Sequence, residues 1–146
     1  MNATYDLLPE VQAVVTSLRR QDVAVQLLVG GEVSVGWSAL LANPATAAAK
    51  ALELMRKYGC GIEVDKEGGG TDAGGGLVKF IQLVAAGKPN NTFVSMDVDG
   101  TPTAGQAATI KGAIDELDWV NMMVGEAKAS GRGGGGRGEG VVIAVV

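Results

Sequence analysis

The spacing of apolar and polar positions changes several times along the first third of the chain. Residues 6–20 carry apolar side chains at helical spacing, which predicts an amphipathic helix with a proline tolerated in its first turn. Residues 23–37 change to a period of two and pass through Gly30-Gly31. This second pattern predicts a β-hairpin with a two-residue turn.

A second helix and a strand are predicted in the next segment. Asn43-Pro44 supplies an N-cap residue followed by proline at the first helical position, and the alanine-rich apolar stripe behind it ends at Tyr58. Residues 61–67 alternate, which predicts a half-buried strand. Its outward, solvent-facing positions are acidic: Glu63, Asp65 and Glu67.

The remaining apolar segments predict two strands, a long helix and a final strand. Residues 77–84 fit either a strand or a helix, and we favour a strand. Residues 93–100 alternate as a strand, and Thr103 then opens a capping box for a helix over 105–129. The β-branched run at 141–146 is typical of a sheet interior or an interface.

The predicted element order is α-β-β-α-β-β-β-α-β. This order favours a single α+β domain over residues 1–146, with a mixed β-sheet and helices packed mainly on one face. Glycine-rich segments at 68–76 and 131–140 are predicted to be loops within it. A crossover through the last helix would place the final strand parallel to residues 93–100.

Composition narrows the possible chemistry. The chain has 146 residues, 47% of them hydrophobic, enough for one domain with a sizeable core and no disulfide or metal support. Twelve basic residues against sixteen acidic ones provide no general attraction for nucleic acid. The absence of histidine excludes the commonest general base and zinc ligand.

Cys60 is the single cysteine, so no intramolecular disulfide can form and a reducing compartment, the cytoplasm, is expected. Cys60 lacks an activating histidine, which favours a structural thiol over a nucleophile. No leader pattern and no run of about 18 apolar residues is present, which predicts that the chain does not enter a membrane.

Asp97 and Asp99 belong to the string Asp-Val-Asp-Gly-Thr, which follows an apolar strand. The string resembles the first motif of haloacid-dehalogenase-like phosphotransferases. That resemblance implies that Asp97 is a nucleophile and Asp99 an acid/base beside Mg²⁺. The downstream residues that could complete the family's pattern fall within one predicted helix: Thr109, Lys111, Asp115 and Asp118. We therefore favour a solvent-facing acidic pair that leads into an Asp-Gly turn, with weak Mg²⁺ binding as the alternative.

The glycine-rich segments offer backbone N–H groups that can cradle phosphate. The segment 131–140 resembles a short RGG-type RNA-binding tract. These features support an alternative function, a nucleotide or nucleic-acid (RNA or single-stranded DNA) binding module. Its candidate ligand-binding residues are Gly69, Gly75, Lys88, Arg132 and Arg137.

The leading hypothesis from sequence is a non-enzymatic protein that assembles with itself or binds a protein partner. A small cytoplasmic regulatory subunit and a phage or virion component both fit, with no cofactor and no catalytic residue assigned. The hypothesis depends on the scarcity of catalytic residue types and on apolar positions expected to form an interface. Those interface positions are Trp119, Met122, Met123, Val142 and Ile143.

Overall fold

The computed structural model describes residues 7–31, 36–66 and 75–123, in which five helices alternate with four strands. The helices are α1 (Pro9–Arg19), α2 (Trp37–Ala42), α3 (Pro44–Tyr58), α4 (Gly76–Gly87) and α5 (Ala104–Ala113). The strands are β1 (Gln26–Gly30), β2 (Gly61–Asp65), β3 (Val94–Asp99) and β4 (Trp119–Met123).

The four strands form one parallel sheet in the order β1-β2-β3-β4. Helices pack against one face of it, so the expected combination of a sheet with helices on one side is confirmed. The described strands are all parallel, however, and not mixed. Sequential order with helices on one face is the arrangement of consecutive strands in a βα barrel, whereas doubly wound sheets carry helices on both faces.

The main core lies between the sheet and its helices. Alternate strand residues point into it, among them Ile62, Val64 and Met96, each at most 1% exposed. The helical residues that meet them are Ala48, Ala51, Met55, Leu77, Phe80, Ile81, Val84 and Ala113. A smaller cluster of Val15, Val25 and Cys60 joins α1 to the start of the sheet. Burying these side chains accounts for most of the driving force for folding.

Several predicted elements are confirmed. α1 carries proline in its first turn, and α3 starts at Pro44 and ends at Tyr58. The capping box is present at α5, where the Gln106 backbone N–H donates to the Thr103 hydroxyl and the Thr103 N–H donates to the Gln106 side chain. The strands predicted at 61–67 and 93–100 are β2 and β3.

The strand prediction for residues 77–84 is wrong, because this segment lies within α4. Its buried residues Leu77, Phe80, Ile81 and Val84 follow helical spacing, and a helix buried between the sheet and other helices is apolar on most sides. Because apolar residues occupy most sides of α4, the sequence of this segment shows no clear helical period.

The helix predicted over 105–129 is wrong in its second half. α5 ends at Ala113, and residues 119–123 form β4 beside β3. Asp118 begins the new strand: its N–H donates to the Val94 carbonyl at 2.8 Å, and its carboxylate accepts from the Val94 N–H at 2.7 Å. The Trp-Val pair that follows has strand propensity, and pairing with β3 outweighs the apparent helical stripe.

The hairpin predicted over 23–37 is also wrong. β1 pairs in parallel with β2, the Gly31 N–H donates to the Asp65 carbonyl at 2.8 Å, and Trp37 begins α2. The second strand predicted for this hairpin includes residues 32–35, which lie outside the described residues. The other predicted segments outside them are the loop at 131–140, the run at 141–146 and most of the loop at 68–76. None of the helices described is long and apolar enough to cross a membrane.

Side chains from alternate strands meet across the helix-free face of the sheet. The Gln26 amide of β1 donates to the Ser95 hydroxyl of β3 at 2.9 Å, and the Asn121 amide of β4 donates to Glu63 of β2 at 2.6 Å. Strands two apart in a flat sheet are about 9.5 Å from each other. These contacts fit a sheet that is curved with this face inward, since layers of side chains built from alternate strands are typical of a barrel interior.

Gly61 makes the first of these contacts possible. It pairs with Gln26 in the register, and an added Cβ would lie 3.0 Å from the Gln26 Cγ and 2.5 Å from the Phe93 carbonyl oxygen. A side chain at this position would therefore lie where Gln26 crosses β2 and where β3 approaches.

Gly61→Ala is expected to lower the free energy of unfolding by about 2 kcal/mol, because the backbone of β3 has to shift to admit the methyl group. Equilibrium denaturation measures the change. The matched control is Gly36→Ala, since a Cβ there meets no atom within 4 Å. The control is expected to change stability by less than about 1 kcal/mol. Equal losses in the two variants would contradict the steric role of Gly61.

Candidate functional site

The inward-curved face, which we call the concave face, carries most of the polar side chains of the strands. Alternation places Glu63 and Asp65 of β2 on it, opposite the helices, together with Ser95, Asp97 and Asp99 of β3. Asn121 of β4 is in register with Asp97. In sheets of this kind ligands bind at the carboxyl ends of the strands, which is where Asp65, Asp97 and Asp99 lie.

Glu63 is the centre of a buried hydrogen-bond network. Its side chain is 3% exposed, although the sequence predicted a solvent-facing charge. One oxygen, Oε1, accepts from the Asn121 amide at 2.6 Å and from the Ser95 hydroxyl at 3.3 Å. A buried carboxyl group requires such partners, since burial removes its contacts with water.

Gln26 determines which way the hydroxyl group of Ser95 donates its hydrogen bond. Its Nε2 donates to the Ile62 carbonyl at 3.1 Å and to the Ser95 hydroxyl oxygen at 2.9 Å. Ser95 therefore accepts from Gln26, and its single hydroxyl proton is free to be donated to Glu63. The Gln26 Oε1 atom is buried and has no hydrogen-bond partner among the described residues, which is an energetic cost of this arrangement.

Asp97 lies on β3, the strand next to Glu63, two residues beyond Ser95, the register partner of Glu63. Burial raises the pKa of Glu63 above its ordinary value, and the negative charge of Asp97 raises it further. The hydrogen bonds from Ser95 and Asn121 oppose this rise in pKa, because they stabilise the charged form. Glu63 therefore favours its neutral acid form more than an exposed glutamate does.

Small residues and an indole ring lie at the carboxyl edge beside β1 and β2. An added Cβ on Gly30 would overlap the Asp65 carbonyl oxygen and lie 2.5 Å from the Trp37 ring. The Lys66 ammonium lies 5.9 Å from the centre of that ring. The absence of side chains at Gly30 thus lets the Trp37 indole pack at the edge of the site.

The residues proposed for nucleotide binding are not brought together in the described part of the chain. The Lys88 Nζ pairs with Asp118 Oδ2 at 2.5 Å, at the amino ends of the strands, and Gly75 is the N-cap residue of α4 with a φ of 68°. Lys88 and the carboxyl-edge acids therefore lie at opposite ends of the sheet. Gly69, Arg132 and Arg137 lie outside the described residues.

The residues proposed for an interface are divided between the two faces of β4. Trp119 starts the strand on the concave face and packs against Phe93 with ring centres 5.2 Å apart. Met122 points to the other face and is 60% exposed, whereas Met123 is half-buried on the concave face. Val142 and Ile143 lie outside the described residues, so the interface stays a prediction.

Cys60 is fully buried in the small core cluster. Burial raises the pKa of its thiol, and the nearby Arg19 charge partly opposes that rise. A neutral buried thiol is a poor nucleophile, in agreement with the structural role expected for Cys60.

Asp97 and Asp99 are side by side on the concave face, as the alternation of β3 predicts. Among the described residues no group of three or more His, Cys, Asp or Glu side chains is placed to hold a metal ion. The weak Mg²⁺ site suggested for these two aspartates stays a prediction.

Gln26, Ser95 and Asn121 were not identified as site residues from the sequence. Ser95 shares its alternation with Asp97, which was a usable signal. Asn121 was hidden because the segment around it was assigned to a helix. Gln26 lay in an apolar run and gave no signal by itself.

The fold is similar to that of chitinases of known structure. A chitinase from Rhizomucor miehei superposes with a TM-score of 0.64 and 16% identity, over 78% of this chain and 43% of that enzyme. A GH18 chitinase from Flavobacterium johnsoniae has a TM-score of 0.62 and 17% identity, over 81% and 41%. A chitinase from Bacteroides thetaiotaomicron has a TM-score of 0.62 and 14% identity, over 77% and 37%.

This chain spans about two fifths of the length of those enzymes. At such low identity the similarity shows a shared fold. No protein-family model matches the sequence, and no curated protein is detectably similar to it.

These comparisons contradict the leading hypothesis from sequence, a non-enzymatic assembly or structural protein, since the fold is one used by glycosidases. They equally contradict the nucleic-acid-binding and phosphotransferase alternatives. The physical reason for the error is that the acidic positions of β2 were taken as a solvated outer face. They line the inner face of a curved sheet.

Asn121→Ala is expected to lower the free energy of unfolding by about 1–3 kcal/mol, because it removes the 2.6 Å hydrogen bond to a buried carboxyl. The lost hydrogen bond opposed the rise in the pKa of Glu63, so that pKa should rise further. Stability is then fully retained at acidic pH and lost as pH rises through the pKa of Glu63, and the loss is greater in the variant.

Urea denaturation at several pH values measures both effects. The control is Gln21→Ala, whose amide donates to the Ser17 carbonyl on the exposed end of α1. This control is expected to change stability by less than about 0.5 kcal/mol at every pH. A loss in Asn121→Ala no larger than that of the control would contradict the importance of the Glu63 network.

Proposed function

We propose that the concave face binds a chitin-type polysaccharide and contributes to hydrolysis of its glycosidic bonds. The single observation that carries this proposal is the row of carboxyl groups at the carboxyl ends of β2 and β3, on the face that no described helix covers. The similarity of the fold to chitinases supports the choice of substrate class.

Carboxyl groups are the chemistry that this reaction needs. Glycosidases protonate the leaving oxygen with a carboxylic acid and stabilise a positively charged sugar ring with a carboxylate. Some, GH18 enzymes among them, use a group of the substrate as the nucleophile, so that two flanking carboxylates are not required. With no histidine in the sequence, aspartate and glutamate are the natural acids and bases of this chain.

Glu63 is not one of the carboxyl groups that flank the scissile bond. Its Oε1 is held by the Ser95 hydroxyl and the Asn121 amide, whereas a flanking carboxyl group has to face the sugar. Asp65 is the last residue of β2, at the carboxyl edge, whereas Glu63 lies two residues earlier in the strand. The residues assigned to face the substrate are therefore Asp65, Asp97 and Asp99, with Glu63 behind them.

We also propose that the protein functions in the cytoplasm, because its single cysteine is a buried free thiol. We further propose that it acts as a homo-oligomer or with a protein partner. Mass spectrometry of the native protein, with Cys60 alkylated before and after unfolding, would report both subunit number and thiol state.

Asp65→Asn is expected to lower kcat/KM for chitin oligosaccharides by about 100-fold or more, because a positioned acid or base contributes about that much. Chromatography of the products formed from an N-acetylglucosamine tetramer measures the rate, and calorimetry measures binding. The control is Asp115→Asn, which removes an exposed carboxylate after α5. Glu67→Gln is assayed in parallel, since Glu67 continues the acidic alternation in the sequence outside the described residues.

Cleavage by the parent protein and by Asp115→Asn, with loss in Asp65→Asn, would support the proposal. Binding without cleavage would contradict hydrolysis, and the absence of both at millimolar oligosaccharide would contradict the proposal as a whole.

A further inference from the structure

Both edges of the described sheet are open. Among the described strands β1 pairs only with β2 and β4 only with β3, so the outer edge of each carries backbone N–H and C=O groups that no described strand pairs with. Open edges of this kind are templates for pairing with another chain. Because β1 and β4 run in the same direction, β4 of one copy can pair in parallel with β1 of another and continue the sheet.

The contacts across the concave face each supply half of a barrel layer. A βα barrel has eight strands, and each interior layer takes four side chains from alternate strands. One contacting pair here is Gln26 and Ser95, from β1 and β3, and the other is Glu63 and Asn121, from β2 and β4. The buried Oε1 of Gln26 has no hydrogen-bond donor among the described residues. Four more strands would add the remaining two members of each layer.

We propose that two copies of this chain pair edge to edge, with β4 of each beside β1 of the other, and close an eight-stranded barrel around the concave face. A two-fold axis along the barrel makes the two new interfaces identical, and two-fold dimers are the commonest oligomers. The inference gives a geometry to the proposed homo-oligomer. It rests on the proposed function only for the polysaccharide bound at the carboxyl ends of the strands.

Four large apolar side chains are exposed among the described residues, and they belong to elements beside these two edges. Leu8 and Val14 belong to the N-cap and the body of α1, the helix that precedes β1. Ile114 follows α5, and Met122 lies on β4. In the outer ring of helices of the closed barrel, α1 of one copy lies over β4 and next to α5 of the other. The dimer therefore brings together the elements that carry this exposed apolar surface.

Opposite charges are also brought together by this arrangement. Arg20 ends α1 at the amino end of the sheet, and Glu116 lies between α5 and β4 at the same end. Because α1 of one copy lies next to α5 of the other, Arg20 of each copy is placed on the side of Glu116 of the second copy. Complementary charges of this kind favour one docking orientation over others.

Sedimentation equilibrium of the parent protein over a range of concentrations tests the assembly. We expect a dimer and no larger species, because a closed ring leaves neither edge open, whereas an open series of such contacts would grow. Val14→Lys and Met122→Glu each place a charge at one edge. Each is expected to raise the dimer dissociation constant by about 100-fold or more. The matched control is Ala86→Lys on the exposed side of α4, between the two central strands, and it should leave that constant unchanged.

A mixture of the two charged variants tests which edges meet. The mixed dimer has one unaltered interface and one in which the introduced charges are opposite, so it is expected to form at least about tenfold more tightly than either variant alone. Circular dichroism establishes that each variant is folded. Pairing of like edges, β4 with β4 or β1 with β1, would leave one of the single variants as tight a dimer as the parent and would overturn the proposed geometry.

The assembly is measured without substrate, so the two proposals can fail separately. A parent protein that is monomeric at every concentration overturns the closed barrel, including the case in which residues outside the described ranges cover the edges. A dimer that neither charged variant weakens overturns it as well. A dimer with the expected sensitivities supports the closed barrel even if no glycan is cleaved, in which case the proposed hydrolysis fails alone. Cleavage by a monomer overturns this inference and leaves the proposed function standing.

Discussion

The sequential order of a parallel sheet is the constraint on which the rest of this structure depends. Each parallel neighbour must be reached by a crossover, and crossovers that step in one direction with one hand all pass over the same face. α3, α4 and α5 accordingly lie between consecutive strands. One face is thereby buried in a conventional apolar core, and the other has to be stabilised by its own side chains.

Curvature supplies that stabilisation. It brings polar groups from alternate strands within hydrogen-bond distance, so that a row that would be exposed on a flat sheet becomes a buried network around Glu63. The same curvature gathers the carboxyl groups of β2 and β3. Burial in this layer raises the pKa of Glu63, and the nearby charge of Asp97 raises it further. The architecture and the chemistry of the site therefore have a common origin.

The parts of the fold that could be predicted are those that short stretches of the sequence determine by themselves. Pro44 and Tyr58 bound a helix whose limits follow from propensity, and the capping box at Thr103 marked the start of α5. The alternation of β3 correctly separated Val94 and Met96 from Ser95 and Asp97. The predictions that were wrong concern segments that pair with partners distant in the sequence. β1 was assigned to a hairpin because no residue near it in the sequence shows that it pairs with β2. The candidate site could be predicted only in part. The carboxyl groups could be recognised in the sequence, but the curvature that buries Glu63 beside Asn121 could not.

The missing side chain at Gly61 also limits the routes by which this sequence can change. Gln26 crosses β2 in the space that a Cβ at position 61 would take, so the two positions compete for one volume. Shortening the residue at 26 would remove that contact, but it would leave the Phe93 carbonyl oxygen 2.5 Å from a Cβ at position 61. Position 26 can therefore vary at the expense of the donor that orients Ser95, whereas position 61 stays closed to a larger residue whatever stands at 26.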